Sequence, residues 1–432
     1  MQQYECLGYH KMDFIKEIIS QNTQWESGRI DFPRVGQAVI ERDVFPELER
    51  EAKAKFITII RGMRRVGKSV LARQLAKKMV EEGMDAKAIG WFEFDRAMGA
   101  GTEDMDAIIV HLISHGSRLV VLDEVQFVAG WQDVLKRHYD RSDVKFVVTG
   151  SSALEMDRRS SESLAGRFAL VKAAPFSFPE CLRMKGKAMP KSAYEAVQRH
   201  GEMVAECEEY IMRTAFPEAA ALDEGGWKKY LKESVIEPVF YKDIPSVFPN
   251  AKPDALLRVL ELLAGSAGGA FQHQSIANAL SQSHPAISEA VEVLERSLLV
   301  KVAYNFTPSM MKQRRVAKKA VFQDNGMLSL LNPQITLGLL AENAAAAALG
   351  AEYFWRDGER HEVDIIIPEK KLALEVKYKD RILDEDMAGV RRFLDLHPEW
   401  KGAMITKSEE GPGRIPKVPL WKALSGMWQA GM

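Results

Sequence analysis

The chain has 432 residues, and its 59 Lys and Arg against 60 Asp and Glu give a formal net charge of −1, which excludes a polybasic tail or a supercharged surface as the basis of function and leaves a local basic patch open. That length calls for roughly two to four domains, and 46% apolar residues allow each to bury a core. Three distant cysteines with no CxxC pair (Cys6, Cys181, Cys207) exclude a disulfide framework or a zinc cluster and fit a reducing compartment.

In chain order, residues 1–45 read as an N-terminal helical segment. Between Phe56 and Val171 the short apolar runs FITII, IGWFEF, RLVVLD and KFVVTG alternate with helical patterns. Strands alternating with helices predict a parallel, doubly wound sheet, and runs that are apolar throughout suit strands covered on both faces. An α/β core over 46–178 is therefore expected.

Within it, Gly62-Met63-Arg64-Arg65-Val66-Gly67-Lys68-Ser69 fits GxxxxGK[ST] between the run FITII and the helical stretch VLARQLAKKM. In such a loop successive backbone N–H groups cradle phosphate oxygens, and the helix N-terminus adds partial positive charge. Gly62, Arg64, Arg65, Val66, Gly67, Lys68, Ser69 and Val70 are the candidate ATP contacts, with Lys68 on the β- and γ-phosphates and the Ser69 hydroxyl on Mg²⁺. A second apolar run ends in Asp123-Glu124. Asp123 is expected in the Mg²⁺ shell, and Glu124 is expected to orient or deprotonate the attacking water. The third run ends in Thr149-Gly150-Ser151, where either hydroxyl is a candidate γ-phosphate sensor. Arg167, after the Gly166 turn, is a candidate arginine finger; a surface salt bridge is the alternative.

Residues 179–250 read as a helical lid or connector, with amphipathic stretches at 192–214 and 227–241. In 251–332 three helices followed by extended LLVKVAYNF give the element order of a winged helix. Its candidate recognition helix carries Glu289, Glu292 and Glu295, which would repel phosphates. Beyond it, Lys312, Arg314, Arg315, Lys318 and Lys319 place five cations in eight positions, the best local candidate for a nucleic-acid backbone contact; a solvated edge strand is the alternative. Arg158-Arg159 and Arg391-Arg392 are candidates to extend that track.

From residue 333 to 432 a second α/β unit is expected. Asp364 lies on the run EVDIII, and Glu375 and Lys377 lie on LALEVK. In a strand i and i+2 share a face, so Glu375 and Lys377 project together. Two strands joined by a charged turn bring Asp364 near them. Carboxylates with a neighbouring lysine can hold Mg²⁺ or Mn²⁺ and stabilise a phosphorane.

GMRRVGKS, LVVLDEVQ, VVTGSSA and SLAGRF in this order resemble the AAA+-type ATPases of bacteria and archaea whose C-terminal domain, of unknown function, has a restriction-endonuclease-like fold. The resemblance runs from about residue 42 to 432. It departs in offering Thr149 and Ser151 where such ATPases usually place Asn, and in lacking an assignable second-sensor arginine. The 364–377 pattern resembles the PD-(D/E)XK nuclease superfamily, and Glu342 on the preceding helix falls where that superfamily often carries a further Glu. The resemblance implies a Mg²⁺-dependent ATP hydrolase coupled to a nuclease-like domain: Glu375 and Lys377 catalytic, with Glu342, Asp364 and Glu375 on the metal and DNA as substrate. The rival expectation is a nucleotide-controlled switch or scaffold whose C-terminal fold binds nucleic acid or protein without cutting. A homo-oligomer would allow Arg167 to act in trans. No apolar run approaches the ~20 residues of a membrane span, and the polar N-terminus lacks a signal-peptide core, so a soluble cytoplasmic protein with no membrane partner is expected.

Overall fold

A computed structural model describes residues 14–32, 39–97, 99–150, 164, 166–307, 317–359 and 361–428. The chain divides into two compact units, Met1–Ala174 with Lys242–Pro249, and Pro175–Tyr241 with Asn250–Met432.

In the first unit, β1 (Ile57–Arg61), β2 (Ile89–Glu93), β3 (Leu119–Asp123), β4 (Lys145–Gly150) and β5 (Phe168–Lys172) form one sheet in the order β2-β3-β4-β1-β5. Every pairing is parallel. The crossover helices include α1 (Lys68–Glu81), α2 (Thr102–Ser114) and α3 (Trp131–Arg141). The apolar faces of α2 and α3 meet strand residues such as Ile59, Val120 and Phe146 in a core that also buries Phe92, Phe94 and Trp131. Because all strands run the same way, their C-terminal ends share one edge, the edge at which open parallel sheets bind ligands. The loop after β1, Asp123 at the end of β3 and Thr149 near the end of β4 all fall there.

The N-terminal segment solves the problem of the exposed edge strand. Asn22 donates to Trp91 O (2.8 Å) and accepts from Trp91 N–H (2.7 Å), Trp25 Nε1 donates to Ile89 O (2.8 Å), and Gln21 accepts from Glu93 N–H (2.7 Å). Side chains thus stand in for a neighbouring strand along β2 and block edge-to-edge pairing.

The second unit contains a mixed sheet of β6 (Val300–Asn305), β7 (Lys318–Phe322), β8 (Tyr353–Arg356), β9 (Glu362–Ile367), β10 (Leu372–Lys377), β11 (Lys401–Thr406) and β12 (Lys417–Pro419), ordered β12-β11-β10-β9-β8-β6-β7. Helices α4 (Pro253–Gly265), α5 (His273–Leu280) and α6 (His284–Arg296) precede the β6–β7 hairpin, as expected for 251–332. The hairpin does not close a domain of its own, however. β6 also pairs in parallel with β8, with Tyr304 opposite Tyr353, so main-chain bonding crosses the boundary expected at residue 332. Helix α7 (Leu337–Ala348) carries Glu342, and α8 (Ala388–Leu396) covers β9, β10 and β11 through Val390, Phe393 and Leu394.

A buried polar anchor supports this unit. Asp324 accepts from Thr214 Oγ1 (3.1 Å), Ala215 N–H (2.8 Å) and Met327 N–H (2.8 Å). It caps the helix Asn325–Leu331 while tying it to the 214–215 turn. Burial pushes its carboxyl up to about 6. No helix of the described residues is long and apolar enough to cross a membrane.

Candidate functional site

The loop between β1 and α1 has the backbone its sequence demands. A Cβ on Gly62 would lie 2.2 Å from Ala173 O, so no side chain fits there. Gly67 takes φ +90° at the N-cap of α1, and Arg65 also adopts the left-handed region at φ 67°. The first turn of α1 leaves backbone N–H groups without intrahelical partners, the donors that an anion recruits. Arg42, which sequence reading passed over, braces the loop: its buried guanidinium donates to Val66 O (2.8 Å) and Ala174 O (2.6 Å). Arg64 and Ser69 are half-buried, Arg65 is exposed and Val66 is buried.

Lys68, only 3% exposed, donates to Met63 O (3.2 Å) and lies 3.3 Å from Glu124 Oε1. Glu124 has φ 55°, which turns the chain sharply out of β3. Burial works to raise its carboxyl, but Lys68 and the Gln126 amide outweigh it and hold the group below the ordinary value. Asp123 is buried and behaves oppositely: burial, with Glu124 adding to it, pushes its carboxyl up to about 6, against hydrogen bonds from Thr149 and Ser69. Thr149 Oγ1 donates to Asp123 and accepts from Glu124 N–H (3.1 Å). One hydroxyl thus fixes both carboxylate residues. Ser151, the other candidate sensor, lies outside the described residues. The Asp123 carboxylate and the Ser69 hydroxyl, in mutual hydrogen-bond contact, are hard oxygen donors suited to Mg²⁺.

Asp243 was missed. It returns to the first unit far along the chain, after π-helical turns at Val239–Asp243, and its Oδ1 lies 3.2 Å from Arg64 Nη1. Burial pushes its carboxyl up to about 6; Arg64, Lys68 and Lys242 oppose this and Glu124 adds to it.

Arg167 is placed elsewhere. It immediately precedes β5, its carbonyl accepts from Ile57 N–H (2.8 Å), and Ile57 pairs with Phe168. That is the N-terminal edge of the sheet, a full strand of five residues, or about 15 Å at ~3.3 Å per residue, from the phosphate loop. Its guanidinium pairs with Asp140 (2.9 Å). The expectation of an arginine finger acting within one protomer is corrected by strand direction alone.

In the second unit, Asp364 on β9 falls opposite Glu375 on β10, one step beyond the Leu374–Ile365 pair of an antiparallel ladder. Val376 N–H donates to Asp364 Oδ2 (2.9 Å). Glu375 Oε1 pairs with Lys377, while Oε2 is buried and has no hydrogen-bond partner among the described residues. The group also contains a residue assigned elsewhere by the sequence. Lys319 on β7, 5% exposed, places Nζ 2.6 Å from Glu362, 2.8 Å from Glu342 and 3.2 Å from Asp364. Burial alone would lower its ammonium, but Asp364, Glu342 and Glu362 overcome that and raise it. Burial and then Asp364 push Glu375 well up, and the same two causes bring Glu342 to about 7. Among the described residues, the one group of three whose ligand atoms lie within 4.8 Å of one another is Asp357, Glu359 and His361, at the β8–β9 turn. Glu342, Asp364 and Glu375 are not drawn together in that way.

The basic run 312–319 therefore loses a member: Lys319 neutralises carboxylates and is unavailable to a phosphate backbone. Lys318 is half-buried, 3.4 Å from His273, and Lys312, Arg314 and Arg315, like Arg158 and Arg159, lie outside the described residues. Arg391 pairs with Asp384, and Arg392 lies 3.7 Å from Asp357. On α6, Glu292 pairs with Arg296 (2.8 Å) and Glu295 accepts from Val302 N–H (2.9 Å).

Residues 54–182 match the family model described as an AAA domain. Most of that stretch, up to Ala174, lies in the first unit. Residues 204–339 and 337–422 match two further models, each a domain of unknown function (DUF8612 and DUF4143). The chain is similar to an uncharacterized protein of Methanocaldococcus jannaschii, 24% identical over 79% of this chain and 78% of that protein. It is also similar to one of Haemophilus influenzae, 25% identical over 68% and 74%. Among solved structures, the Aeropyrum pernix ORC1 protein in complex with DNA is 13% identical over 72% of this chain and 96% of that one, with a TM-score of 0.28. The replication initiator DnaA bound to AMPPCP and single-stranded DNA is 15% identical over 62% and 92%, with a TM-score of 0.26. The phosphate loop, Asp123, Glu124 and Thr149 all fall inside the stretch that matches the AAA domain model, whereas Arg42 precedes it and Asp243 follows it.

Proposed function

We propose that the chain is a Mg²⁺-dependent ATP hydrolase. The observation that carries this reading is the convergence of Lys68, Asp123, Glu124 and Thr149 at one sheet edge around the Gly62–Ser69 loop, inside a stretch matching the AAA domain. In the proposed reaction the loop N–H groups and Lys68 bind the phosphates, and Ser69 and Asp123 hold Mg²⁺, which screens the triphosphate charge. Glu124, kept ionised by Lys68, accepts the proton of the attacking water, and Thr149 holds Glu124 in register with Asp123. Once a γ-phosphate competes for Lys68, the Glu124 carboxylate is freed for that water. Phosphate release by wild type and by Lys68→Ala tests the assignment: equal turnover in the variant sinks it.

The second unit supports two readings, and Lys319 divides them. A metal-dependent endonuclease acting on DNA would place Mg²⁺ or Mn²⁺ on Glu342, Asp364 and Glu375, with Lys377 beside the scissile phosphate. The Lys319 ammonium already among those carboxylates favours the other reading, a nucleotide-controlled switch or scaffold whose second unit binds nucleic acid or protein without cutting. A screen of plasmid, duplex, single-stranded and branched DNA with either metal, with and without ATP, separates them. Cleavage by wild type that disappears in Glu375→Ala selects the nuclease; no cleavage of any form selects the switch.

A further inference from the structure

The phosphate loop of the first unit carries a carboxylate that no nucleotide chemistry requires. Asp243 is 8% exposed, its Oδ1 meets Arg64, and its Oδ2 is buried with no hydrogen-bond partner among the described residues. Lys68 and Glu124 are also close enough to act on its charge. The neighbouring Lys242 makes a second attachment at the same sheet edge: its Nζ lies 2.7 Å from Asp95 Oδ1, just past β2, and 5.0 Å from the centre of the Phe127 ring, just past β3. Residues 242–249 thus clip onto the loop edge, while the chain on both sides of them belongs to the second unit.

A triphosphate brings several negative charges to this loop. Beside them an ionised Asp243 is repelled, strongly so in a partly desolvated pocket. Arg64, two residues past the first loop glycine, can serve only one anion fully at a time, because its fork geometry matches a carboxylate or a phosphate bidentately. Asp243 is therefore a carboxylate, built from a distant part of the chain, that engages the same guanidinium a phosphate would.

Resting on the reading of Gly62–Ser69 as an ATP site, we propose that Asp243 is the exchangeable counter-ion of Arg64: a bound triphosphate takes Arg64 from Asp243, and residues 242–249 loosen from the loop edge. Nucleotide occupancy is thereby transmitted to the chain that leads into the second unit. The coupling is reciprocal, so whatever holds 242–249 in place weakens nucleotide binding by the same factor.

The test uses the full chain, mant-ATP titration and hydrogen exchange with and without AMPPNP. Asp243→Asn should bind mant-ATP about tenfold more tightly, the shift that a lost competing charge of modest strength produces. In wild type, AMPPNP should speed exchange within 242–249 while slowing it in the loop. The exchange measurement needs no variant and stands even where Asp243→Asn folds poorly. Wild-type binding that is lost in Lys68→Ala but unchanged in Asp243→Asn overturns the inference and leaves the ATP site intact, as does exchange in 242–249 that is indifferent to AMPPNP. Wild type that binds no mant-ATP overturns the ATP reading itself and the inference with it.

Discussion

Lys319 Nζ lies 3.2 Å from Asp364 Oδ1 although two whole strands, β8 and β6, separate β7 from β9 in the sheet. The lysine stem crosses the sheet face, over the Phe354 ring at 5.4 Å, to deliver its charge to carboxylates that have little water to solvate them. A buried ammonium serving three carboxylates does electrostatically what a divalent ion does in a nuclease. Both cannot occupy one place.

The first prediction follows. Lys319→Met removes the cation and leaves Glu342, Glu362 and Asp364 facing one another. Breaking a buried ion pair from one side costs about 3 to 5 kcal/mol, and the loss should show in urea unfolding at neutral pH. The same variant should gain Mn²⁺ binding, read by electron paramagnetic resonance, and Mn²⁺ should restore part of the lost stability. Wild type that already binds Mn²⁺ at this group, with affinity removed by Glu375→Ala, would show that the ammonium does not exclude a metal.

The catalytic assignment predicts a split between binding and turnover. Glu124→Gln keeps the side chain's size and its place beside Lys68 but cannot accept a proton. General-base loss costs about 10²- to 10⁴-fold, so kcat should fall by that factor while the affinity for ATP stays within a few-fold of wild type. A kcat unchanged in Glu124→Gln would move the base elsewhere.

What was legible in the sequence was what is contiguous in it. The loop motif, the Asp123-Glu124 pair at a strand end, and Glu375 with Lys377 on one strand face are short-range patterns whose geometry follows from one element. Arg64 with Asp243 spans 179 positions, Arg42 with Val66 spans 24 and Lys319 with Asp364 spans 45, and no periodicity links such partners. Lys319 was misread for the same reason: in a run of cations it looks like a solvated face, and only the pairing of β7 at the sheet edge turns it inward. Arg167 shows the converse. Its motif is local, but its distance from the phosphate loop depends on β5 running parallel to β1.

Arg42 should matter although it touches no expected ligand. Its guanidinium is buried and bridges Val66 O and Ala174 O, so Arg42→Ala leaves two carbonyls short of a donor and lets the loop drift from β5. Unsatisfied buried groups cost about 1 to 3 kcal/mol each. A drop of that size in stability, with the KM for ATP rising more than kcat falls, is the expected outcome in thermal unfolding and steady-state kinetics. An equal loss in both Arg42→Ala and Arg42→Lys would point to the planar fork, since a lysine cannot reach two carbonyls at once.

Asp324 gives a pH dependence whose sign is fixed. Its carboxyl is pushed up to about 6 by burial, above the ~3.9 of an unfolded chain, so between those values the folded state holds a proton that the unfolded state has lost. Stability from this group is therefore complete below about pH 4 and falls as the pH rises through 6, by about 2 to 3 kcal/mol in all. Asp324→Asn cannot titrate, but it keeps a carbonyl oxygen to accept from Met327 N–H. The stability difference between wild type and Asp324→Asn should accordingly be greatest in favour of wild type near pH 4 and shrink toward pH 7, as measured by urea unfolding across that range. A difference that instead grows with pH would mean that the hydrogen bonds from Ala215 and Met327 outweigh burial and hold Asp324 ionised in the fold.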